Sequence, residues 1–371
     1  MDQSIMRSHQ PLVSRKHPMV FLLVSMILLV SLTACGAPVP TEELALTPQV
    51  YVSPTPSPTA TLENTATPTQ QFTPTPIPPP LGLASNPVVL GIVYSDQAVQ
   101  EPAAIEFLQY LADQTGYVFK ISVFENTFDL LAGMDAGTVT FAFMQPITYI
   151  YAHNNDVATV KLITRSFGVT AFGTQILAKA DSGFAAYYNE ETEKNSADAG
   201  SALNQFYGKR PCFVDETSLS GAILPFSLLA QNAVEYSEPV YVHSNTAVIR
   251  ALYIGGVCDF GATYAITSDP RTSSDLEDLG DAMEKVVVVW RSDAIIPTLN
   301  ISFTNKSNPE VTANVAKSIQ EFSNQETGIT VLTSLTGTQV EAMETASDAL
   351  YTSLSQILEG SGIDLLPYLG Y

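Results

Sequence analysis

The chain has 371 residues, 46% of them hydrophobic and 14% charged, and its 16 Lys and Arg against 37 Asp and Glu give a net charge of −21. A balance this acidic excludes nucleic acid and anionic lipid as partners of the folded part, so any anion must be held by a local arrangement. The 3 Cys and 4 His show no metal-ligand spacing, so neither a metal nor a cofactor is expected.

Arg7, Arg15 and Lys16 form a basic start, and Met19 to Ala34 is an apolar run with the length of a signal h-region, too short for a comfortable membrane span. The run ends in Leu32-Thr33-Ala34-Cys35-Gly36, which resembles a bacterial lipobox. Residues 1–34 then read as a lipoprotein signal and Cys35 as the lipidated first residue of the mature protein. It would anchor the protein to the outer face of a membrane; the plain alternative is a signal peptide with an incidental cysteine. From Gly36 to Ser85 there are twelve Pro, ten Thr and no Lys or Arg. Such a stretch cannot bury enough apolar surface to offset ordering, so residues 35–85 read as an extended tether, with or without glycosylation.

The remainder is long enough for two lobes with real cores. Pro87–Tyr94 reads as a strand, Pro102–Thr115 as a helix, Val118–Phe124 as a strand, Phe128–Ala136 as a helix and Val139–Met144 as a strand. This alternation predicts α/β architecture, a parallel sheet with helices on both faces and ligands at the carboxyl ends of the strands. Lys161–Ser166 and Gln175–Ala180 read as two further strands, and Asp181–Ser201 as a polar insertion. Alternation resumes with a strand at Cys212–Val214, a helix from Ser220, a strand at Val240–His243, a helix at Thr246–Ile254 and a strand at Cys258–Ala262. Lys285–Trp290 and Leu299–Thr304 are extended. Val311, Val315, Ile319 and Phe322 recur at helical spacing, and Val340–Leu358 reads as more helix. The expected division is 86–174 in the first lobe, 175–296 in the second and 297–371 back on the first, with two crossings and a cleft. In an oxidising compartment Cys212 and Cys258 are expected to pair as a disulfide between neighbouring strands, or else to be two buried thiols.

The segment Val214-Asp-Glu-Thr-Ser-Leu-Ser-Gly-Ala-Ile-Leu-Pro225 puts hydroxyls and a glycine between a strand and an apolar helix. Such residues start helices, and a helix start is also a seat for an anion. With Phe-Ala-Phe-Met-Gln-Pro-Ile-Thr-Tyr149 before it and Val242-His-Ser-Asn-Thr-Ala to Cys258-Asp-Phe-Gly-Ala-Thr263 after it, the chain from about Pro87 to Leu358 resembles the PhnD-like family of periplasmic substrate-binding proteins. The resemblance implies a two-lobed type II periplasmic-binding fold and a monomer that delivers phosphonate, phosphite or phosphate to an ABC importer's permease. It implies that Ser218, Leu219, Ser220 and Gly221 grip the anionic group with hydroxyls and backbone amides, and that His243 touches the ligand; otherwise the serines only cap the helix and the histidine sits in a surface turn.

By the strand-end rule Gln145, Thr148 and Tyr149 face the cleft, though Tyr149 fits the core equally. Leu219 stands where the family turn carries threonine, and Thr127 and Phe172 stand at the family's aromatic ligand positions. Those departures leave the ligand open to a smaller or differently substituted oxyanion, or to another small metabolite. Two other classes compete. Ser220, His243 and Asp259 are the residue types of an acyl-transfer triad, but the turn lacks the leading glycine of a nucleophile elbow. A receptor feeding a membrane sensor kinase would have the same lobes.

Overall fold

A computed structural model describes residues 79–93 and 100–369; the signal, Cys35 and nearly all of the tether lie outside them. The first lobe opens with β1 (Val88–Val93), α1 (Gln100–Thr115), β2 (Phe119–Phe124), α2 (Thr127–Ala136), β3 (Phe141–Met144), α3 (Pro146–Asn154) and β4 (Ala158–Arg165). β5 (Ala171–Lys179) carries the chain into the second sheet. The polar insertion folds into a small hairpin, β6 (Tyr188–Asn189) with β7 (Lys194–Asn195), and α4 (Ala199–Leu203). Asn195 Nδ2 ties the hairpin back by donating to the Arg291 carbonyl at 2.6 Å.

Then come β8 (Pro211–Phe213), α5 (Leu224–Gln231), β9 (Val240–Tyr241), α6 (Asn245–Ile254), β10 (Phe260–Ala265), α7 (Ala282–Lys285) and β11 (Val286–Arg291). The return runs through β12 (Ile296–Pro297), β13 (Asn300–Thr304), α8 (Pro309–Ser323), α9 (Glu326–Thr336), β14 (Ala342–Thr345) and α10 (Thr352–Ser361).

Two six-membered sets of strands result. The first sheet has the order β14-β4-β13-β3-β1-β2 and the second β11-β5-β10-β8-β9, with β12 paired to β5. The strands joined through helices pair in parallel, β1 with β2 and β3, and β8 with β9 and β10. The expected all-parallel sheets are mixed instead: β13 runs antiparallel between β3 and β4, and β5 antiparallel between β10 and β11. A chain that leaves a lobe and comes back inserts its return strand in the reverse direction, and helix-and-strand alternation carries no trace of that.

Cys212 on β8 and Cys258, two residues before the neighbouring strand β10, are bonded, with Cα atoms 5.6 Å apart. Val88, Phe107, Phe141, Phe303 and Ile319 sit in one core of the first lobe, between its sheet and α1, α8 and α9; Leu177, Cys212, Ile249 and Val286 form a smaller one in the second.

Two features of the C-terminal part depart from the sequence expectation. Residues 342–345 form β14, pairing with β4 as the edge of the first sheet, where helix was expected. α10 does not return to the first lobe with the rest. Gln231 Nε2, at the end of α5, donates to the Ile357 carbonyl at 3.0 Å, and Leu354 and Leu358 are buried in the same cluster as Leu224 and Leu228. That cluster also holds Tyr149 and Met144, so hydrocarbon packing continues from one lobe into the other beneath α10.

Candidate functional site

β8 ends at Phe213, and the chain must then turn into α5 over a very short distance. Asp215 Oδ1 accepts from the Thr217 N–H at 3.0 Å and from its hydroxyl at 2.8 Å, closing a side-chain-stabilised turn. Ser218 is the N-cap: its Oγ accepts from Gly221 N–H at 3.1 Å. Its carbonyl accepts from both Ala222 N–H at 2.9 Å and Ile223 N–H at 3.0 Å, so Leu219–Ile223 forms a wide π turn before α5 begins. Gly221 O takes the Val214 N–H at 3.2 Å, pressing the turn onto the strand end. A Cβ at position 221 would lie 2.4 Å from Val214 Cγ2, which is why glycine stands there.

Two donors remain. Among the described residues the N–H groups of Leu219 and Ser220 have no partner, while those of Gly221, Ala222 and Ile223 are all used. The first N–H groups of a helix are unsatisfied by construction and carry the positive end of its dipole.

The turn opens into a cavity of about 600 Å³ between the lobes, walled also by Gln145 and Pro146 after β3, Thr164 at the end of β4, Ser166 and Phe167 on the outgoing crossing, Tyr264 near the end of β10 with Ile266 and Ser268 after it, and Ile296 to Leu299 on the return. Among the described residues no Lys, Arg or His is in this wall, and Asp215 is its single charged residue. The most deeply buried cation described, Arg271, is already committed at 2.6 Å to Asp269 and 2.9 Å to Glu190. Burial raises the Tyr264 phenol above its ordinary pKa, the Ser268 hydrogen bond lowering it and Asp269 raising it, so the ring presents a neutral O–H. Thr164 is fully buried, and its Oγ1 has no hydrogen-bond partner. A buried hydroxyl without a partner costs stability.

Of the ten ligand-contact candidates read from the sequence, Ser218, Leu219, Ser220, Gln145 and Phe172 line this cavity. The other five do not. Gly221 is packed under the turn against Val214 and shapes it from behind. Thr148 and Tyr149 follow Pro146 on α3 and are both buried; Tyr149 is 0% exposed, packs at a tilt against Tyr351 with ring centroids 4.3 Å apart, and donates its hydroxyl to Asp348. Thr127 is the buried first residue of α2, after the Asn126 cap. His243 is exposed at φ 64°, its N–H bonded to the Val214 carbonyl at 2.6 Å, outside the cavity wall. Thr164, Phe167, Tyr264 and Thr298 escaped sequence reading, although Thr164 sits at the carboxyl end of β4, where the strand-end rule directs attention.

No acyl-transfer triad is assembled. β8 and β10 are parallel with Phe260 opposite Pro211, so Asp259 lies at the amino-terminal edge of the sheet, where its Oδ2 accepts from Arg210 N–H at 2.8 Å. Ser220 lies past the carboxyl-terminal edge. Among the described residues no group of three or more His, Cys, Asp or Glu is placed to hold a metal, and no helix is long and apolar enough to cross a membrane.

Known proteins share this architecture. XAC2383 from Xanthomonas citri, in structures bound to ATP and to chloride ion, superposes with TM-scores of 0.54 and 0.53 at 14% and 15% identity, covering 74% of this chain and 96% and 97% of that one. This likeness establishes the two-lobed type II periplasmic-binding-protein fold. Among curated proteins, the phosphate-import protein PhnD of Mycolicibacterium smegmatis is 28% identical over 200 residues, which is 51% of this chain and 57% of that relative's length. Residues 92–351, most of the folded part, match the family described as ABC transporter, phosphonate, periplasmic substrate-binding protein. The strand-turn-helix seat, the two lobes and the matched residues together make this chain a member of that family of transporter binding proteins, which are not enzymes.

Proposed function

We propose that the chain is the extracytoplasmic receptor for a small phosphorus oxyanion, phosphate or phosphonate, which it hands to the permease of an ABC importer while anchored to the membrane through lipidated Cys35. One observation carries the reading: the unpartnered N–H groups of Leu219 and Ser220, beside the hydroxyls of Ser218 and Ser220, in a cleft wall that has no cation among the described residues. Charge-assisted N–H and O–H donors are about twice as strong as neutral ones in a site of low dielectric, so a tetrahedral oxyanion is held there by dipoles alone. A family relative is named for phosphate import, which supports the same class of ligand. Binding across the cleft favours the closed arrangement of the lobes, which is the state an importer would read.

Thermal unfolding of the full chain with phosphate, phosphite, methylphosphonate or sulfate at millimolar concentration tests this. A ligand at a hundred times its Kd adds about 2.7 kcal/mol. At roughly 2–4 °C per kcal/mol for a protein of this size class, the melting temperature rises by about 5–11 °C. No shift with any phosphorus oxyanion would remove the reading. The anchor is tested separately: Cys35→Ser should release the protein from membranes and stop incorporation of labelled fatty acid.

A further inference from the structure

The polar seat occupies only one corner of the cavity. About 600 Å³ falls in the range that holds drug-sized organic ligands, roughly 300–1,000 Å³, far beyond what a bare phosphate fills. Much of the remaining wall is hydrocarbon, from Phe167, Phe172, Leu219, Ile266, Ile296 and Leu299, with Gln145, Tyr264 and Ser268 as polar groups among them. A hydrated dianion alone would then be desolvated against carbon on most sides, which costs free energy that no partner returns.

Several polar groups in the wall are spent within the protein. The Ser166 hydroxyl donates to the Gln339 carbonyl at 2.5 Å, that of Thr298 to the Thr164 carbonyl, and that of Thr217 to Asp215 Oδ1 at 2.8 Å. The departure at Leu219 points the same way. It puts a branched hydrocarbon in the turn itself, next to the anion seat.

We infer that the ligand is an organophosphorus anion bearing an uncharged, apolar substituent of several carbons, its oxyanion on the Leu219 and Ser220 amides and its substituent against Phe172 and Phe167. This rests on the oxyanion reading above. Burial of each added methylene should tighten binding about fourfold, from ~0.8 kcal/mol per CH₂.

Calorimetric titration of the full chain with phosphate and with methyl-, ethyl-, butyl-, phenyl- and 2-aminoethylphosphonate decides it. Affinity should climb at least tenfold from methyl- to butyl- or phenylphosphonate, and ethylphosphonate should bind more tightly than its 2-aminoethyl counterpart. Phe172→Ala, and separately Phe167→Ala at an exposed position that folding does not need, should compress the phenyl-to-methyl ratio several-fold. If phosphate or methylphosphonate binds as tightly as the larger compounds, the apolar-substituent inference falls and the oxyanion reading stands. It falls in the same way if the aminoethyl compound outbinds ethylphosphonate through Asp215. If no compound in the series binds, the oxyanion reading fails and takes this inference with it.

Discussion

Gly221→Ala isolates the packing that creates the anion seat. The added Cβ would sit 2.4 Å from Val214 Cγ2 and 2.8 Å from Ser218 Oγ. Carbon contacts are optimal near 3.5–4.0 Å, so the turn or the end of β8 must yield by about an ångström. Overpacking of this kind costs about 1–3 kcal/mol, and a disturbed Ser218 cap adds about 1 kcal/mol. Alanine's better helix propensity returns about 1 kcal/mol. The clash therefore outweighs the propensity gain, and net destabilisation is about 1–3 kcal/mol, seen as a melting temperature roughly 2–12 °C lower.

Trp290 is the chain's one tryptophan and only 7% exposed, so its emission follows the unfolding. Val214→Ala removes the offending methyl. In the double variant the two effects should fall short of their sum by about 1 kcal/mol or more, as expected for residues in direct contact. Affinity for methylphosphonate should fall at least tenfold in the single variant, because the shift carries the Leu219 and Ser220 amides with it. Wild-type stability and affinity in Gly221→Ala, or strict additivity in the cycle, would refute this account of the turn.

Three further outcomes follow from the structure. Thr164→Val removes a buried hydroxyl that has no partner, so in denaturant unfolding the protein should be no less stable and up to about 1 kcal/mol more so. Opening the Cys212–Cys258 bond by Cys→Ala at both positions frees a loop with a sequence separation of 46 and should cost about 4 kcal/mol in denaturant unfolding on the chain-entropy account. Burial, then the charges of Glu216 and Asp215 with Tyr236 and Tyr368 nearby, pushes the Tyr241 phenol up to about 12. A raised pKa means that the folded state holds the proton more tightly, so this contribution is complete below ~10 and vanishes as pH climbs toward 12. Tyr236, Tyr264 and Tyr351 are also raised, so phenolate absorbance should show several late-titrating tyrosines, and Tyr241→Phe should remove one of them.

What the sequence reveals here follows the range of the forces involved. The turn at Ser218 to Gly221 is legible because N-capping and glycine contact are settled within a few residues. The helices and inner strands are legible for the same reason, their periodicity being local. β14 is not: Ala342-Met343-Glu344-Thr345 has no strand alternation, and it is extended because the free edge of β4 offers Arg165 to Leu162 as partners. α10 shows an ordinary amphipathic face, and nothing local says that Gln231 and the apolar side of α5 will receive it. The cavity wall is legible only in part. Gln145 and Phe172 stand beside recognisable strand ends, whereas Thr164, Phe167, Ile266 and Thr298 meet because two crossings and a strand of the other sheet converge. The expectation for Tyr149 illustrates the ambiguity of a single aromatic after a strand end, since the pull of Tyr351 and Asp348 from far along the chain turned it into the core.

The most direct measurement is a crystal structure of the protein with butyl- or phenylphosphonate. The account predicts phosphonate oxygens within about 3.2 Å of the Leu219 and Ser220 nitrogens, with no Lys or Arg in contact and the substituent lying along Phe172. An anion gripped by a cationic side chain, or seated away from the turn with those two amides still unpaired, would contradict it.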